Sequence, residues 1–364
     1  MKKEIKINMS KLTIGGMEHA LIDLLKMSDL REKYNITLMI VYSGKNNYLN
    51  EIPKSIKVDL LWNKNFNIIG KLVVSLKLLK RLILKKNYYA SVCYTHHHKI
   101  LSKLSRKESD NSIIFIHTDL INSRNEKELN TLCNSLKFDE FKKVACVSEC
   151  AKNSFMKIYP KYNGIVSVIN NYINGHAIIE KSNEKIKDIK KEKITTFINV
   201  ARHEEDVKKI SRIINSTKKL NKEGYKFRVL LIGEGEDTPL YKNMIEIMNL
   251  DNIELLYNKL NPFPYYKLSD AFLFSSSSEG YGIVLNEARV LSIPIISTDV
   301  ADASLITKEG YGILCENSED GIYSGMKKYL EEGYKIKKEF DYNKFNERIT
   351  NKINLLLEEI WKMY

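Results

Sequence analysis

The sequence predicts an α/β protein built from two parallel, doubly wound sheets, and three observations predict it. Short β-branched runs alternate with helix-period segments along nearly the whole chain, the order that lays parallel strands side by side with helices on both faces. The alternation breaks once, in the charged stretch 174–193, and then restarts. The 364 residues also exceed what one hydrophobic core usually organises. The expected plan is a domain at 1–172, a linker at 173–193, a second domain at 194–342 and a closing helix at 343–364.

In the first domain "EIKINM" is the opening strand. A helix from Met17 follows, with Ala20, Leu21, Leu24 and Leu25 on its buried stripe. Then come "ITLMIVY" and "KVDLLW", a helix near 71–84, "SVCYT", a helix after Lys99 and "SIIFIHT". A helix near 124–136, "KVACVS", a helix from 149 and "GIVSVIN" complete the set. The second domain runs "ITTFINVA", a helix at 208–222, "FRVLLIG", a helix at 238–249, "NIELLY", "AFLFSSS", a helix from 283, "PIIST" and "GILC". Both sets read as Rossmann-like domains. The chain closes with "YNKFNERITNKINLLLEEIWKMY", an amphipathic helix with Ile349, Ile353, Leu356, Leu357, Ile360 and Trp361 on one side.

Composition removes several classes of function. With 43% hydrophobic and 28% charged residues the chain has the make-up of a soluble globular protein, and no apolar run approaches the ~20 residues that span a bilayer. The start "MKKEIKINMSKLTIGG" is too polar for a secretory signal, so a cytoplasmic chain is expected. Five scattered cysteines without a CxxC pair suggest neither a disulfide framework nor a zinc ribbon. The net charge of +13 comes largely from lysine spread evenly, as in "KSNEKIKDIKKEKITT", so nucleic acid is not the expected partner. An anionic membrane surface or a phosphorylated partner stays open.

Ligands of open parallel sheets bind beyond the carboxyl ends of the strands, so the loops there hold the chemistry. Gly15 and Gly16 follow the first strand and open a helix, where backbone N–H groups suit an anion; a tight turn explains the pair as well. "GEGEDT" places Gly233 and Gly235 similarly, but the third glycine of a dinucleotide fingerprint and the GK[ST] of a phosphate loop are missing. The most informative stretch is "SSSSEGYGIVLNEARVLSIPIIST" at 275–298. Its helix carries Ile283, Val284, Glu287, Ala288, Val290 and Leu291 on one stripe, and a carboxylate there calls for hydrogen-bond donors such as ribose hydroxyls. Taken singly, Glu287 is as well explained as a partly exposed helical residue. Glu279 lies in the preceding loop, within reach of a sugar, and the backbone around Gly282 and Ile283 points N–H groups at phosphates.

Glu-x7-Glu within "SSSSEGYGIVLNEA", followed by "SIPIISTD", resembles the donor-site signature of the retaining GT-B glycosyltransferases of family 4. The similarity extends through "FINVARHEEDVKKISRIINSTKKL", "LLIGEGEDTPL" and "YYKLSDAFLFSSSSEGYG", and more thinly through "LTIGGMEHALIDLL", "IHTDL" and "VSECAKNSF". It implies two Rossmann-like domains facing a cleft, the first on the acceptor side, with the last helix crossing back to the first domain. It implies that Glu279 contacts hydroxyls of the donor sugar and Glu287 binds ribose. Donor contacts fall to Gly15, Gly16, Gly233 and the turn Gly280, Tyr281, Gly282 and Ile283, and His117 contacts the donor sugar near the reacting carbon. Arg202 matches the family arginine that balances the departing diphosphate; Lys208 matches the lysine by apolar pattern, one residue later than the usual spacing, with Lys209 a rival.

The resemblance thus implies transfer of a sugar from a nucleoside diphosphate donor, a UDP-sugar, to a glycan or lipid-linked acceptor; with such an acceptor, the basic balance adds reversible binding of the first domain to an anionic membrane as a second expectation, at the inner face of the cell membrane. No cofactor and no divalent metal are expected, because the chain has no Asp-x-Asp to hold one. His96, His97 and His98 end a strand but seldom would three adjacent histidines share an ion; the acceptor side is an alternative place for them. Met17 after the glycines and Ala201 before the arginine depart mildly from the family pattern. A GT-B epimerase or phosphorylase and an inactive partner subunit are the competing readings.

Overall fold

The structure, a computed structural model, describes residues 2–13, 15–44, 47–63, 67–84, 86–95, 97–122 and 126–359. It forms two compact units, Met1–Ile173 with Lys344–Tyr364, and Asn174–Asn343.

The first unit is built on a parallel sheet of β1 (Lys3–Lys11), β2 (Tyr34–Tyr42), β3 (Lys57–Trp62), β4 (Ala90–Cys93), β5 (Ser112–Ile116), β6 (Lys143–Cys146) and β7 (Val166–Val168), in the order β3-β2-β1-β4-β5-β6-β7. Ile5 of β1 lies opposite Ile36 of β2 and Ala90 of β4, so the strand is enclosed on both edges. Its core joins Met39, Cys93, Ile114, Ile116 and Val144 from the strands to Leu101, Leu104 and Phe155 from the helices. Two buried polar residues interrupt β1. Lys6 pairs with Glu108, and Asn8 donates to Ser91 Oγ (3.1 Å), Ser105 Oγ (2.9 Å) and Glu108 Oε2 (2.9 Å), which satisfies a buried charge pair and pins the end of helix Lys99–Glu108 to the sheet.

The last helix, Tyr342–Glu359, runs mostly in this unit. Ile349, Ile353, Leu356 and Leu357 are buried, as their spacing predicts, while Ile360 and Trp361 lie outside the described residues. Asn346 donates to the carbonyl of Ile173 (2.7 Å) and accepts from its N–H (3.1 Å), and the Tyr89 hydroxyl reaches the carbonyl of Leu357 (3.1 Å).

The second unit is built on β8 (Thr195–Val200), β9 (Phe227–Ile232), β10 (Ile253–Leu255), β11 (Ala271–Phe274), β12 (Ile295–Thr298) and β13 (Gly312–Cys315), all parallel, in the order β10-β9-β8-β11-β12-β13. Phe197, Val229, Leu231, Leu273 and Ile296 pack with Ile213, Ile214 and Ile322. Two features differ from the sequence expectation. The stretch 173–193, expected as a linker, contributes the helix Gly175–Ser182, capped by Asn174 and anchored by buried Ile178, to the second unit. Its charges face solvent, which is why its composition reads as a connection. The helix expected at 208–222 is two pieces, Glu205–Lys208 and Ile210–Lys222, separated by Lys209 in the left-handed conformation (φ 49°).

In each sheet the strand order reverses once, between β1 and β4 and between β8 and β11. Ligands of such sheets gather at those switch points.

Candidate functional site

At the switch point of the second unit the loops after β8 and β11 are stitched together. Ser277 N–H donates to the carbonyl of Val207 (2.8 Å) and Ser275 Oγ to that of Lys208 (2.8 Å). This brings the Lys208 ammonium onto the Glu279 carboxylate, which also accepts from Ser276 Oγ (3.2 Å); the two charged side chains are only 20% and 16% exposed. Lys208, rather than Lys209, is the lysine that meets Glu279. Arg202, on the loop after β8, is exposed and pairs with Glu204 of its own loop.

Gly282 turns the β11 loop into helix Ile283–Val290 through a left-handed backbone (φ 71°), and a Cβ there would come within 3.1 Å of Leu285 and 3.2 Å of Phe274. No side chain caps this helix start, which points its first N–H groups and the positive end of its dipole outward. Glu287 accepts from the hydroxyl of buried Tyr266 (3.2 Å) and stays partly exposed. The buried face differs from the expected stripe: Leu285, Asn286, Ala288, Arg289 and Val290 turn inward, whereas Ile283 and Val284 are half-buried. Arg289 is the charged member of that inward face. Its guanidinium lies 3.8 Å from the Phe340 ring and 4.4 Å from that of Tyr311, and it donates to Asn286 (2.8 Å) and Glu309 (2.9 Å), so a charged residue occupies the core side. Tyr281 differs too. Its ring is buried and its hydroxyl accepts from Asn286 (2.7 Å), leaving its backbone as what it offers a ligand.

His203 escaped the sequence reading. Its ring Nδ1 contacts Thr238 Oγ1 (2.9 Å), its N–H donates to the carbonyl of Glu234 (3.1 Å), and its carbonyl accepts from Asp237 N–H (3.2 Å). Burial pushes the imidazole down to about 4, so it is neutral at pH 7. The glycines of "GEGEDT" serve this junction: a Cβ on Gly233 would lie 1.8 Å from the Ala201 carbonyl and one on Gly235 2.1 Å from that of His203. The loop that carries Arg202 is thereby held against the loop after β9. Asp237 completes it by accepting from Glu205 N–H (2.7 Å).

In the first unit Gly15 has an extended backbone and precedes helix Gly16–Met27; a Cβ there would meet Glu18 Oε2 at 2.5 Å. Glu18 is buried, which raises its carboxyl above the usual range against its own backbone N–H and Lys11. His117 follows β5. Its Nε2 sits 2.9 Å from the carbonyl of Tyr94, which can only accept, so Nε2 carries the proton and Nδ1 is the acceptor. The ring lies edge-on to Tyr94 at 4.6 Å, and burial pushes it down to about 4. Of the histidine run, His98 caps helix Lys99–Glu108 through Leu101 N–H (3.4 Å), His97 is exposed, and His96 lies outside the described residues. Among the described residues no three His, Cys, Asp or Glu side chains converge as ion ligands.

An exposed arginine, a sheltered lysine, an uncapped helix start and two carboxylates suit a ligand that is anionic at one end and hydroxyl-rich at the other. Residues 178–347 match the family model described as glycosyl transferases group 1. The second unit is therefore similar to the glycosyl transferases group 1. Arg202, Lys208, Gly233 and Gly280 to Glu287 all fall inside the group 1 match; Gly15, Gly16 and His117 fall outside it.

An uncharacterized glycosyltransferase of Methanocaldococcus jannaschii is 36% identical over 104 residues, 28% of this chain and 25% of that protein. The capsular polysaccharide biosynthesis glycosyltransferase CapM of Staphylococcus aureus is 25% identical over 162 residues, 43% of this chain and 42% of that one. The chain thus spans only part of the length of the curated relatives it matches, from 25% to 58%. Among solved structures, Anabaena HepE in complex with UDP and glucose aligns over 97% of this chain and 99% of its own, with a TM-score of 0.73 at 15% identity. Sucrose-phosphate synthase from Thermosynechococcus elongatus aligns over 100% of both, with a TM-score of 0.75 at 11% identity. At such identities the likeness shows the fold, which is GT-B.

Proposed function

We propose that the chain is a retaining glycosyltransferase that moves a sugar from a UDP-sugar to a glycan or lipid-linked acceptor in cell-surface polysaccharide or glycoconjugate synthesis. What carries the reading is the joining, at one switch point, of the cation Lys208 and the carboxylate Glu279 beside the uncapped helix start after Gly282. Relatives named for capsule and amylovoran synthesis and a neighbour solved with UDP and glucose support the substrate class.

In this reading Arg202, Lys208 and the helix start hold the diphosphate, Glu287 accepts from ribose hydroxyls, and Glu279 contacts the donor sugar. The acceptor oxygen bonds to the anomeric carbon on the face from which the diphosphate oxygen departs. The acceptor proton passes to that departing oxygen, so no protein nucleophile is needed. Charge building on the leaving group meets cations already in place, which is where such sites stabilise the transition state most. The protein cations take the role that a divalent metal fills elsewhere, and the enzyme works in the cytoplasm at the inner face of the cell membrane.

Incubation with a panel of nucleotide sugars, with and without glycan acceptors, and analysis of products by mass spectrometry and anomeric proton coupling test this. Donor turnover with a retained linkage supports it. An isomerised nucleotide sugar formed without acceptor identifies an epimerase, a sugar phosphate formed with inorganic phosphate identifies a phosphorylase, and no turnover of any donor identifies an inactive partner.

A further inference from the structure

The helix Ile68–Ile83, between β3 and β4, has two apolar faces. Gly70, Val74 and Leu78 are buried against the sheet, Gly70 so closely that a Cβ would lie 2.8 Å from the Trp62 ring. On the other side Ile68, Ile69, Leu72, Leu76, Leu79 and Ile83 are 55 to 84% exposed. At about 100° per residue these six fall within one arc of roughly 100°, opposite the core stripe. Soluble proteins rarely leave so contiguous an apolar seam open to water.

Every charged residue of the helix is basic, Lys71, Lys77, Lys80 and Arg81, and of these Arg81 is paired with Asp59 of β3 (2.6 Å). Lys71 and Lys80 flank the seam at its two edges, and helix Lys99–Glu108, packed beside it, exposes Lys99, Lys103 and Lys107 along one stripe. The Lys107 ammonium reaches the carbonyl of Leu82 at 3.2 Å, which ties that lysine stripe to the apolar helix.

We propose that this helix docks the first unit on an anionic bilayer, with the seam at the acyl boundary and the lysines at the headgroups. An apolar stripe bordered by cations matches that surface in both respects. A second copy of the same helix matches it poorly, because it would set lysine against lysine. The inference gives a surface to the membrane placement proposed above, and it rests on these two helices rather than on the transfer chemistry.

The test is sedimentation of the full chain with vesicles of phosphatidylcholine, with and without phosphatidylglycerol, and no sugar donor present, so its outcome is separate from that of the transfer assay. The chain should sediment with the anionic vesicles, be released by moderate salt, and stay in the supernatant with neutral ones. The Leu72→Ser, Leu76→Ser double variant should bind on the order of tenfold or more weakly, and Lys71→Ser and Lys80→Ser each about fivefold more weakly. Since all four side chains point to solvent, circular dichroism and the unfolding midpoint should not change. Equal binding of parent and variants, or equal binding to neutral and anionic vesicles, overturns the proposal. So does a dimer of the parent chain in solution that the leucine double variant dissociates.

Discussion

Lys208→Met and Glu279→Gln, singly and together, probe the pair that joins the β8 and β11 loops. At 4 Å and an effective dielectric of about 20 two unit charges attract by roughly 4 kcal/mol, and desolvation takes back part of that. Breaking a fully buried pair costs about 3–5 kcal/mol, and breaking an exposed one about 0–1 kcal/mol. With side chains 20% and 16% exposed the pair falls between these limits, and each single change should cost about 2 kcal/mol. In a unit of this size that lowers the melting midpoint by about 4–8 °C. The double variant leaves no unpaired charge, so its loss should fall short of the summed single losses by about 1 kcal/mol or more. Urea and thermal unfolding followed by circular dichroism, read on the transition of the second unit, give all three values. Additive losses, or single variants with the parent's midpoint, would refute the idea that the two side chains are coupled.

Arg202→Ala should lower the transfer rate by about 10²- to 10³-fold without shifting the unfolding midpoint, because the side chain is exposed; activity that disappears with EDTA and returns with Mg²⁺ would refute the protein-cation model. Glu287→Ala should raise donor KM with little change in kcat, since ribose contacts are alike in ground and transition states, whereas Glu279→Ala lowers kcat as well; steady-state kinetics with varied donor separates them. His203 titrates at about 4 in the folded unit against an ordinary 6.5, so the unfolded chain binds its proton first and stability, complete above pH 6.5, declines as pH falls toward 4. His203→Gln should flatten that decline in urea midpoints followed through the same window, and an unaltered slope would count against it.

The strands were legible because they are short apolar runs, most of them rich in β-branched residues, between turn residues, and the Glu279 and Glu287 pair stood out by its spacing across a Gly-Tyr-Gly turn. The break at Lys209 was not, since a left-handed lysine has no local signature; Ser275 and Ser277, distant in sequence, bond the carbonyls of Lys208 and Val207 just before it. Arg289 was not expected on the buried face of its helix, because the Tyr311 and Phe340 rings that receive its guanidinium lie 22 and 51 residues onward, which helical periodicity cannot register. His203 was passed over for a related reason: its partners lie on the next βα loop, and only the fold brings them together. The outward seam of helix Ile68–Ile83 was not read from the sequence, because which of its two apolar faces meets the sheet is set by the fold.

The return of helix Tyr342–Glu359 to the first unit has a consequence for the order in which the chain is made. The sheet β1 to β7 leaves the ribosome first, yet the surface that covers Val168, Ile173 and Tyr89 is encoded after the entire second unit. At ordinary elongation rates, about 5–20 residues per second, the intervening segment takes roughly 10 to 30 s to synthesise. For that interval the first sheet waits with the seat for Ile349, Ile353, Leu356 and Leu357 uncovered, while the second unit has everything it needs to fold. The unit that begins the chain is therefore the one finished last.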